Sequence, residues 1–349
     1  MIVGMEKMRA VLFDNHGGTD KLRYTYTEVP HPGPHEVLVK VRACALNHLD
    51  LWTLMGMPGV KIPLPHTLGC DVAGEVVKTG NKVHGVPLNR PVVVAPGISC
   101  GKCEYCKSGW DSLCAHYHIL GSQVNGGFAE YVKVPARNIF PVSPQLSYEE
   151  WAAVPLVFLT AWHMLVTRAK VRKKETVLIH AAGSGVGSAA IQIAKYFGAH
   201  VFTTVGADEK IRPAEALGAD EAINYRKKDF DEEIFRLTRG RGVDVVIEHI
   251  GPDTFAKSLA CLTKKGRLVT CGVTSGPLVQ INLRFLFARQ LSISGSYMGG
   301  LAELGKVLRR VRKKKLKPVV DKVFPLREAA KALERMLARA NFGKIVLLP

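Results

Sequence analysis

Residues 176–205 read TVLIHAAGSGVGSAAIQIAKYFGAHVFTTV, and this stretch decides the fold. Thr176 to His180 is a short apolar run that gives way to small residues, the pattern of a buried strand entering a tight turn. Ala182, Gly185 and Gly187 then follow a variant of the dinucleotide fingerprint, in which small residues let a backbone approach a pyrophosphate. Gly185 to Phe197 has the spacing of an amphipathic helix, and His200 to Val205 returns as a second strand. Strand, turn, helix and strand in this order give a parallel βαβ unit whose helix N-terminus supplies N–H donors and positive potential. The residues expected around a pyrophosphate are Ala182, Gly183, Ser184, Gly185, Val186 and Gly187.

The end of the second strand discriminates between dinucleotides. An NAD site usually carries Asp or Glu there for the ribose 2′-hydroxyl. This chain continues Thr204, Val205, Gly206, Ala207, with no acid before Asp208 and a base at Lys210. The expectation is NADPH over NADH, with Lys210 neutralising the 2′-phosphate.

Outward from this unit the same alternation runs on to Arg267–Cys271 and Leu291–Gly295, so a doubly wound parallel sheet is expected over 151–295. The first 150 residues have a different grammar. Short Val-rich runs at Glu36–Val41, Val76–Lys78 and Pro91–Val94 are broken by Gly and Pro and read as many short strands. Residues 296–349 read as two helical stretches and a closing strand at Lys344–Leu348.

A length of 349 residues suits about two domains, and 47% hydrophobic with 22% charged residues excludes intrinsic disorder. A chain of this size buries roughly 70–75% of its unfolded surface and needs no disulfides. The longest nearly apolar stretch, Trp151–Val166, contains Pro155 and His163 and falls short of the roughly 20 residues of a membrane span. No apolar secretory core follows the N-terminus, so a cytoplasmic protein is expected, and Met8, just before the first strand-like run, reads as an alternative start that leaves 1–7 as an extension.

Lys and Arg total 48 against 30 Asp and Glu, a formal charge of +18 that suits anionic partners, from a phosphorylated cofactor to nucleic acid. The densest cluster, KVLRRVRKKKLKP at 306–318, puts Val307, Leu308 and Val311 on one helical face and its bases on the other. That is the pattern of a solvated helix, and no RRM or C2H2 signature supports a zinc protein that binds nucleic acid.

Cys100, Cys103, Cys106 and Cys114 form C-x2-C-x2-C-x7-C, with Gly97, Gly101 and Gly109 for the turns of a lobe at about 97–116. Four thiolates close a tetrahedral Zn²⁺ with no open position, which makes the expected zinc structural, one per chain. A bacterial iron–sulfur run has three residues before its last Cys and a Pro after it; here seven intervene and Ala115 follows. Cys44, Cys70, Cys261 and Cys271 lie in or beside apolar runs and read as buried small hydrophobes.

Seven segments together resemble the medium-chain dehydrogenase/reductase superfamily, which includes zinc alcohol dehydrogenases and quinone oxidoreductases. They are EVLVKVRACALNHLD (36–50), LPHTLGCDVAGEVVKTG (64–80), the cysteine lobe, GGFAEYVKVP (126–135), PLVFLTAWHML (155–165), AAGSGVG (181–187) and FGKIVLLP (342–349). The resemblance implies an α/β chain in which a GroES-like catalytic domain, 1–150 completed by 296–349, is split around a Rossmann domain. It also implies a homodimer or homotetramer acting on small molecules.

Where zinc alcohol dehydrogenases carry a catalytic Cys, His, further Cys and Glu, the matching positions here are Asn47, Cys70, Leu156 and Asp71. Asn is a poor Zn²⁺ ligand and Leu is none, so fewer than the three protein ligands of an open site remain. His48 or His66 stays available to a displaced ion. The branch without catalytic zinc implies an NADPH-dependent reductase of quinones or activated alkenes; the alternative is a zinc-dependent alcohol or aldehyde dehydrogenase.

The resemblance further implies that Asn47 donates to a developing oxyanion. His48 is a candidate proton donor or pyrophosphate contact, and Asp50 stabilises the motif. Thr160 would meet the nicotinamide ribose. Lys210, Tyr225 and Arg339 would grip the 2′-phosphate, and Gly272, Val273 and Thr274 would lie by the carboxamide. Trp52, Met55, Met57, Phe158 and Trp162 are candidates for an apolar pocket or for ordinary packing.

Overall fold

The computed structural model describes residues 7–349; residues 1–6, on which the expectation of an alternative start bears, lie outside it. The chain divides into two compact units. The first takes the chain up to Leu156 with Gly300–Lys314 and Pro318–Pro349, and the second takes Val157–Gly299 with Lys315–Lys317. The junctions fall a few residues beyond those read from the sequence. Lys315–Lys317 joins the second unit, where the Lys317 N–H and carbonyl clasp the Gln192 amide at 2.8 and 2.9 Å.

The first unit is built on a seven-stranded sheet. Its central strand, Glu36–Ala45, pairs antiparallel with Asp71–Thr79, Tyr131–Pro135 and the closing strand Lys344–Leu348. Val37, Leu38, Val39 and Val41 are buried, and so are Ala43, Cys44 and Ala45, so this strand is packed on both faces. The sequence reading missed Val320–Pro325, which pairs parallel with Lys344–Leu348 at the sheet edge. Its burial follows no period of two, which removed the strand signal.

In register, Val346 faces Ala45 and Leu347 faces Cys44, and the Leu46 N–H reaches the Ile345 carbonyl at 2.9 Å. This pairing carries Lys344 to the end of the central strand, where the chain turns into the helix His48–Met55. That helix carries Trp52 and Met55, two of the candidates for an apolar pocket. The basic cluster forms the helix Leu301–Arg312, with Val307, Leu308 and Val311 buried as its spacing requires.

The second unit is a six-stranded, wholly parallel sheet. Its strands are, in chain order, Thr176–Ile179, His200–Val205, Glu221–Asn224, Val243–Glu248, Leu262–Thr270 and Ser292–Gly295. They lie in the order third, second, first, fourth, fifth, sixth. The order reverses between the first and fourth strands, and in such sheets ligands bind beyond the carboxyl ends of the strands at that point. Phe158 and Trp162 are core residues of this unit, on the helix Pro155–Trp162, which continues as a π-helical turn over His163–Arg168. No helix among the described residues is long and apolar enough to cross a membrane.

Candidate functional site

The first unit carries two polar centres. In the cysteine lobe the Sγ atoms of Cys100, Cys103, Cys106 and Cys114 all lie within 4.8 Å of one another, with Cys103–Cys106 at 3.5 Å and Cys100–Cys106 at 3.9 Å. A tetrahedral Zn²⁺ with bonds of about 2.3 Å sets its sulfurs about 3.8 Å apart, so the four residues fit that ion. The Cys114 sulfur accepts the Cys100 and His116 N–H groups at 3.5 and 3.4 Å. The N–H groups of Lys102 and Cys103 pull the Cys100 thiol down to about 6. Gly101 has φ +74°, and a Cβ there would lie 1.8 Å from the Arg137 guanidinium. Asp111 moors the lobe: it accepts the Leu301 N–H at 2.9 Å, where the helix Leu301–Arg312 begins, and the Ser99 hydroxyl at 3.3 Å.

The second centre gathers Asn47, Cys70, Asp71 and Lys344. The Lys344 ammonium is 4% exposed and lies 2.9 Å from Asp71 Oδ2 and 2.5 Å from both Asn47 Oδ1 and the Leu46 carbonyl. Asn47 Nδ2 donates to Asp71 Oδ2 at 2.9 Å and to Cys70 Sγ at 3.2 Å, and Asp71 Oδ1 accepts the Leu156 N–H at 2.8 Å. The Asn47 amide hydrogens are thus turned into the protein, in place of the substrate-facing donor read from the sequence.

Asp50 stands behind this centre, accepting the Asn47 N–H at 2.7 Å and the Gly69 N–H at 3.0 Å. Burial pushes its carboxyl up to about 7 against these bonds and against the attraction of Lys344. Gly69, at φ +97°, presents that N–H where a Cβ would lie 2.4 Å from the Phe128 ring. His48 begins the helix, its ring 6.4 Å from Trp52.

This second centre does not fit a zinc ion. Leu156 offers only its backbone, Asp71 already carries an ammonium and an amide, and the Cys70 sulfur already takes an Asn47 amide hydrogen at 3.2 Å. The family resemblance pointed to Asn47, Cys70, Asp71 and Leu156 but missed Lys344, which follows Asp71 by 273 residues. The available signal was the Lys in FGKIVLLP, a base inside a buried closing strand.

In the second unit the glycine-rich turn caps the helix Gly185–Tyr196. Ser184 Oγ accepts the Gly187 N–H at 2.9 Å, and a Cβ on Gly187 would lie 2.1 Å from the Ala181 carbonyl. Val186 occupies the first turn of that helix, and Ala182 is buried, its N–H on the Thr204 carbonyl at 2.9 Å. At the end of the second strand, Asp208 binds Asn224 Nδ2 at 2.6 Å and the Lys227 ammonium, while Lys210 closes the short turn after it. Tyr225 is 39% exposed, and its hydroxyl would lie 2.8 Å from a Cβ on Gly206. Arg339 belongs to the first unit, exposed after the helix Ala329–Leu337.

Gly272, Val273 and Thr274 follow the fifth strand, and the Thr274 hydroxyl holds the His249 carbonyl at 2.7 Å. The Thr160 hydroxyl is buried with no hydrogen-bond partner among the described residues, a donor left for a ligand. A turn that brings backbone to its helix start, an acid already engaged and an orphaned hydroxyl fit a dinucleotide in this unit.

The alcohol dehydrogenase GroES-like domain family matches residues 33–144 and the zinc-binding dehydrogenase family matches residues 185–313. A zinc-type alcohol dehydrogenase-like protein of Schizosaccharomyces pombe is 33% identical, covering 97% of this chain and 99% of the relative. The quinone oxidoreductase of Mus musculus is 31% identical over the full length of both. A crystal structure of an NAD-dependent alcohol dehydrogenase superposes with a TM-score of 0.94 at 46% identity, covering 98% of this chain and 100% of that one.

Proposed function

Within the medium-chain dehydrogenase/reductase superfamily, to which this chain belongs, we propose that it is an NADPH-dependent reductase of quinones or activated alkenes with zinc only in its cysteine lobe. The chain is an NAD(P)-dependent oxidoreductase by family. The carrying observation is the Lys344 ammonium seated against Asp71 and Asn47. A fixed monovalent cation, itself spent on three acceptors, takes the room beside the carboxylate and offers no exchangeable position to an alkoxide.

Held along the glycine-rich turn, with Thr160 toward its ribose, NADPH would supply a hydride to the β-carbon of an α,β-unsaturated carbonyl, whose α-carbon would take its proton from this chain. His48 is assigned as the proton source, Asn47 and Asp50 as the groups that fix the helix start carrying it, and Thr160 as the contact to the nicotinamide ribose. Lys210 and Tyr225, both in the second unit, are assigned to the 2′-phosphate. The engagement of Asp208 with Asn224 and Lys227 supports this choice, because it occupies the first acid after the second strand.

One structural zinc per chain, a cytoplasmic location and a homodimer or homotetramer complete the reading. Leu278 at 84%, Leu283 at 68% and Phe287 at 69% exposure, next to the sheet-edge strand Ser292–Gly295, support self-association. A second reading, a zinc-assisted alcohol dehydrogenase, draws on the buried His66, whose Nε2 has no partner among the described residues.

NADPH oxidation against quinones, enones, enoyl-CoA thioesters and aldehydes, run with zinc counting, separates the two. Turnover of quinones or enones with one chelator-resistant zinc is expected. Two zincs with chelator-sensitive alcohol oxidation would replace this reading by the second.

A further inference from the structure

Three strands of the second unit end beside one another at the switch point, and each carries at its last residue or next to it a polar side chain buried away from solvent: Thr204, His180 and Glu248. Nothing in the hydride chemistry uses them. His180 and Glu248 are fully buried, a histidine and a carboxylate placed where apolar residues would cost nothing.

The proton positions follow from counting donors. Glu248 is acceptor-only when ionised, so Ser258 donates to its Oε2 at 2.8 Å and Thr254 donates at 2.9 Å. Ser258 Oγ therefore accepts from His180 Nε2 at 2.8 Å, which places the imidazole proton on Nε2. His180 Nδ1 is then an acceptor, served by the Thr204 hydroxyl at 3.2 Å, and that oxygen in turn accepts the Ala181 N–H at 2.9 Å. All the bonds run one way, from the first residue of the glycine-rich turn through Thr204, His180 and Ser258 to Glu248. The surroundings hold His180 neutral: burial draws its pKa down to about 4.

The far end of the chain is fastened to the nicotinamide side of the unit. Glu248 Oε1 accepts the Ile250 N–H at 2.7 Å and the Gly251 N–H at 3.3 Å. The turn so fixed holds the next one: the Ile250 carbonyl accepts the Ser275 N–H at 2.7 Å and its hydroxyl at 2.9 Å, and the His249 carbonyl accepts Thr274. We infer that Thr204, His180, Ser258 and Glu248 form one hydrogen-bonded relay that sets the glycine-rich turn in register with the 249–251 and 272–275 turns, so that the two ends of a bound dinucleotide are positioned together. These are positioning residues, acting through the turns they hold. The inference rests on the dinucleotide reading above but not on the identity of the hydride acceptor.

The test is the affinity of the full chain for NADPH and for 2′-phospho-ADP-ribose, which lacks the nicotinamide ring, measured by calorimetry. Ser258→Ala cuts the relay beyond His180. It is expected to weaken NADPH about tenfold while leaving 2′-phospho-ADP-ribose within about twofold, a split that general destabilisation does not produce. Thr204→Val cuts the relay at the glycine-rich turn and is expected to weaken both ligands, with Thr204→Ser restoring them; this pair carries the test if Ser258→Ala fails to fold. ¹⁵N-histidine NMR is expected to find His180 as the neutral Nε2–H tautomer. Equal NADPH affinity in wild type and Ser258→Ala, equal loss of both ligands in Ser258→Ala, or a proton on Nδ1 would overturn the relay alone. A wild-type chain that binds neither NADPH nor NADH would overturn the dinucleotide reading and the relay with it.

Discussion

The cysteine lobe and the Lys344 centre are two answers to the same problem within one unit, that of keeping anionic side chains out of water. The lobe gathers four sulfurs from a segment that starts at Cys100 and ends at Cys114. Four thiolates in one place repel one another and demand a multivalent cation from outside. The other centre holds one carboxylate, Asp71, and matches it with one ammonium from the closing strand. A thiolate cluster makes folding depend on metal supply; a lysine makes it depend on the closing strand reaching its place. The predictions below test whether these are two kinds of site.

The largest effect is expected in the lobe. Zinc ions give small domains on the order of 10–16 kcal/mol of apparent binding free energy, most of it spent on folding the ligands into place. Cys106→Ser is therefore expected to abolish zinc retention, expose 97–116 to protease and lower the melting temperature more than any other single change named here. Plasma emission spectroscopy and calorimetry report both. Four titratable thiols in a wild-type chain of unchanged melting temperature would mean that the lobe stands without metal.

Lys344→Met comes next. It leaves Asp71 buried without its cation, and breaking one side of a buried pair costs about 3–5 kcal/mol. Adding Asp71→Asn removes the stranded charge and is expected to recover most of that loss in urea denaturation. The coupling energy is the signature of the pair. If the two changes add independently, the ammonium is not balancing the carboxylate. A second zinc bound by Lys344→Met would show that the lysine had been excluding one.

These two sites also mark the limit of what the sequence makes legible. A metal lobe is local, and the x2, x2, x7 spacing of its cysteines is itself the geometry. The parallel sheet is legible for a related reason, since each strand and helix has its own period. Lys344 has no such mark, because its partner in space, Asn47, lies 297 residues away and only the pairing of Val346 with Ala45 brings them together. For the same reason the family resemblance implied a substrate-facing amide at Asn47: the residue type was visible, but the acceptors that claim its hydrogens were not. Val320–Pro325 was lost because an edge strand half-buried on both faces has no alternation to read.

The Lys344 centre also predicts a pH dependence that the lobe does not share. Asp50 has its carboxyl raised to about 7 from the ordinary 3.8, mainly by burial. In the unfolded chain it ionises near its ordinary value, so the folded state binds the extra proton. Its stabilising contribution is present in full below about pH 4, declines as the pH rises and is gone once the pH passes through about 7, a loss of about 4 kcal/mol. Urea midpoints between pH 5 and 8 should fall with pH in wild type, and Asp50→Asn should flatten that part of the slope. An unchanged slope would place the titration elsewhere.

The smallest effect tests where the lobe ends. Asp111 lies between the third and fourth cysteines but spends its carboxylate outside them, on the Leu301 N–H and the Ser99 hydroxyl, with the Arg137 guanidinium 3.6 Å away. A carboxylate at a helix N-terminus adds about 0.3–1 kcal/mol when exposed and up to about 2 kcal/mol when partly buried. Asp111 is 5% exposed, while Arg137 is open enough to water for salt to screen it. Asp111→Asn keeps an acceptor for Leu301 but drops the charge, so a loss of about 1 kcal/mol is expected, with zinc fully retained. That combination says the lobe is a self-contained metal site that the helix Leu301–Arg312 merely leans on. Loss of zinc together with the charge would make the helix part of the site, and the metal centre would then rest on distant chain as Lys344 does.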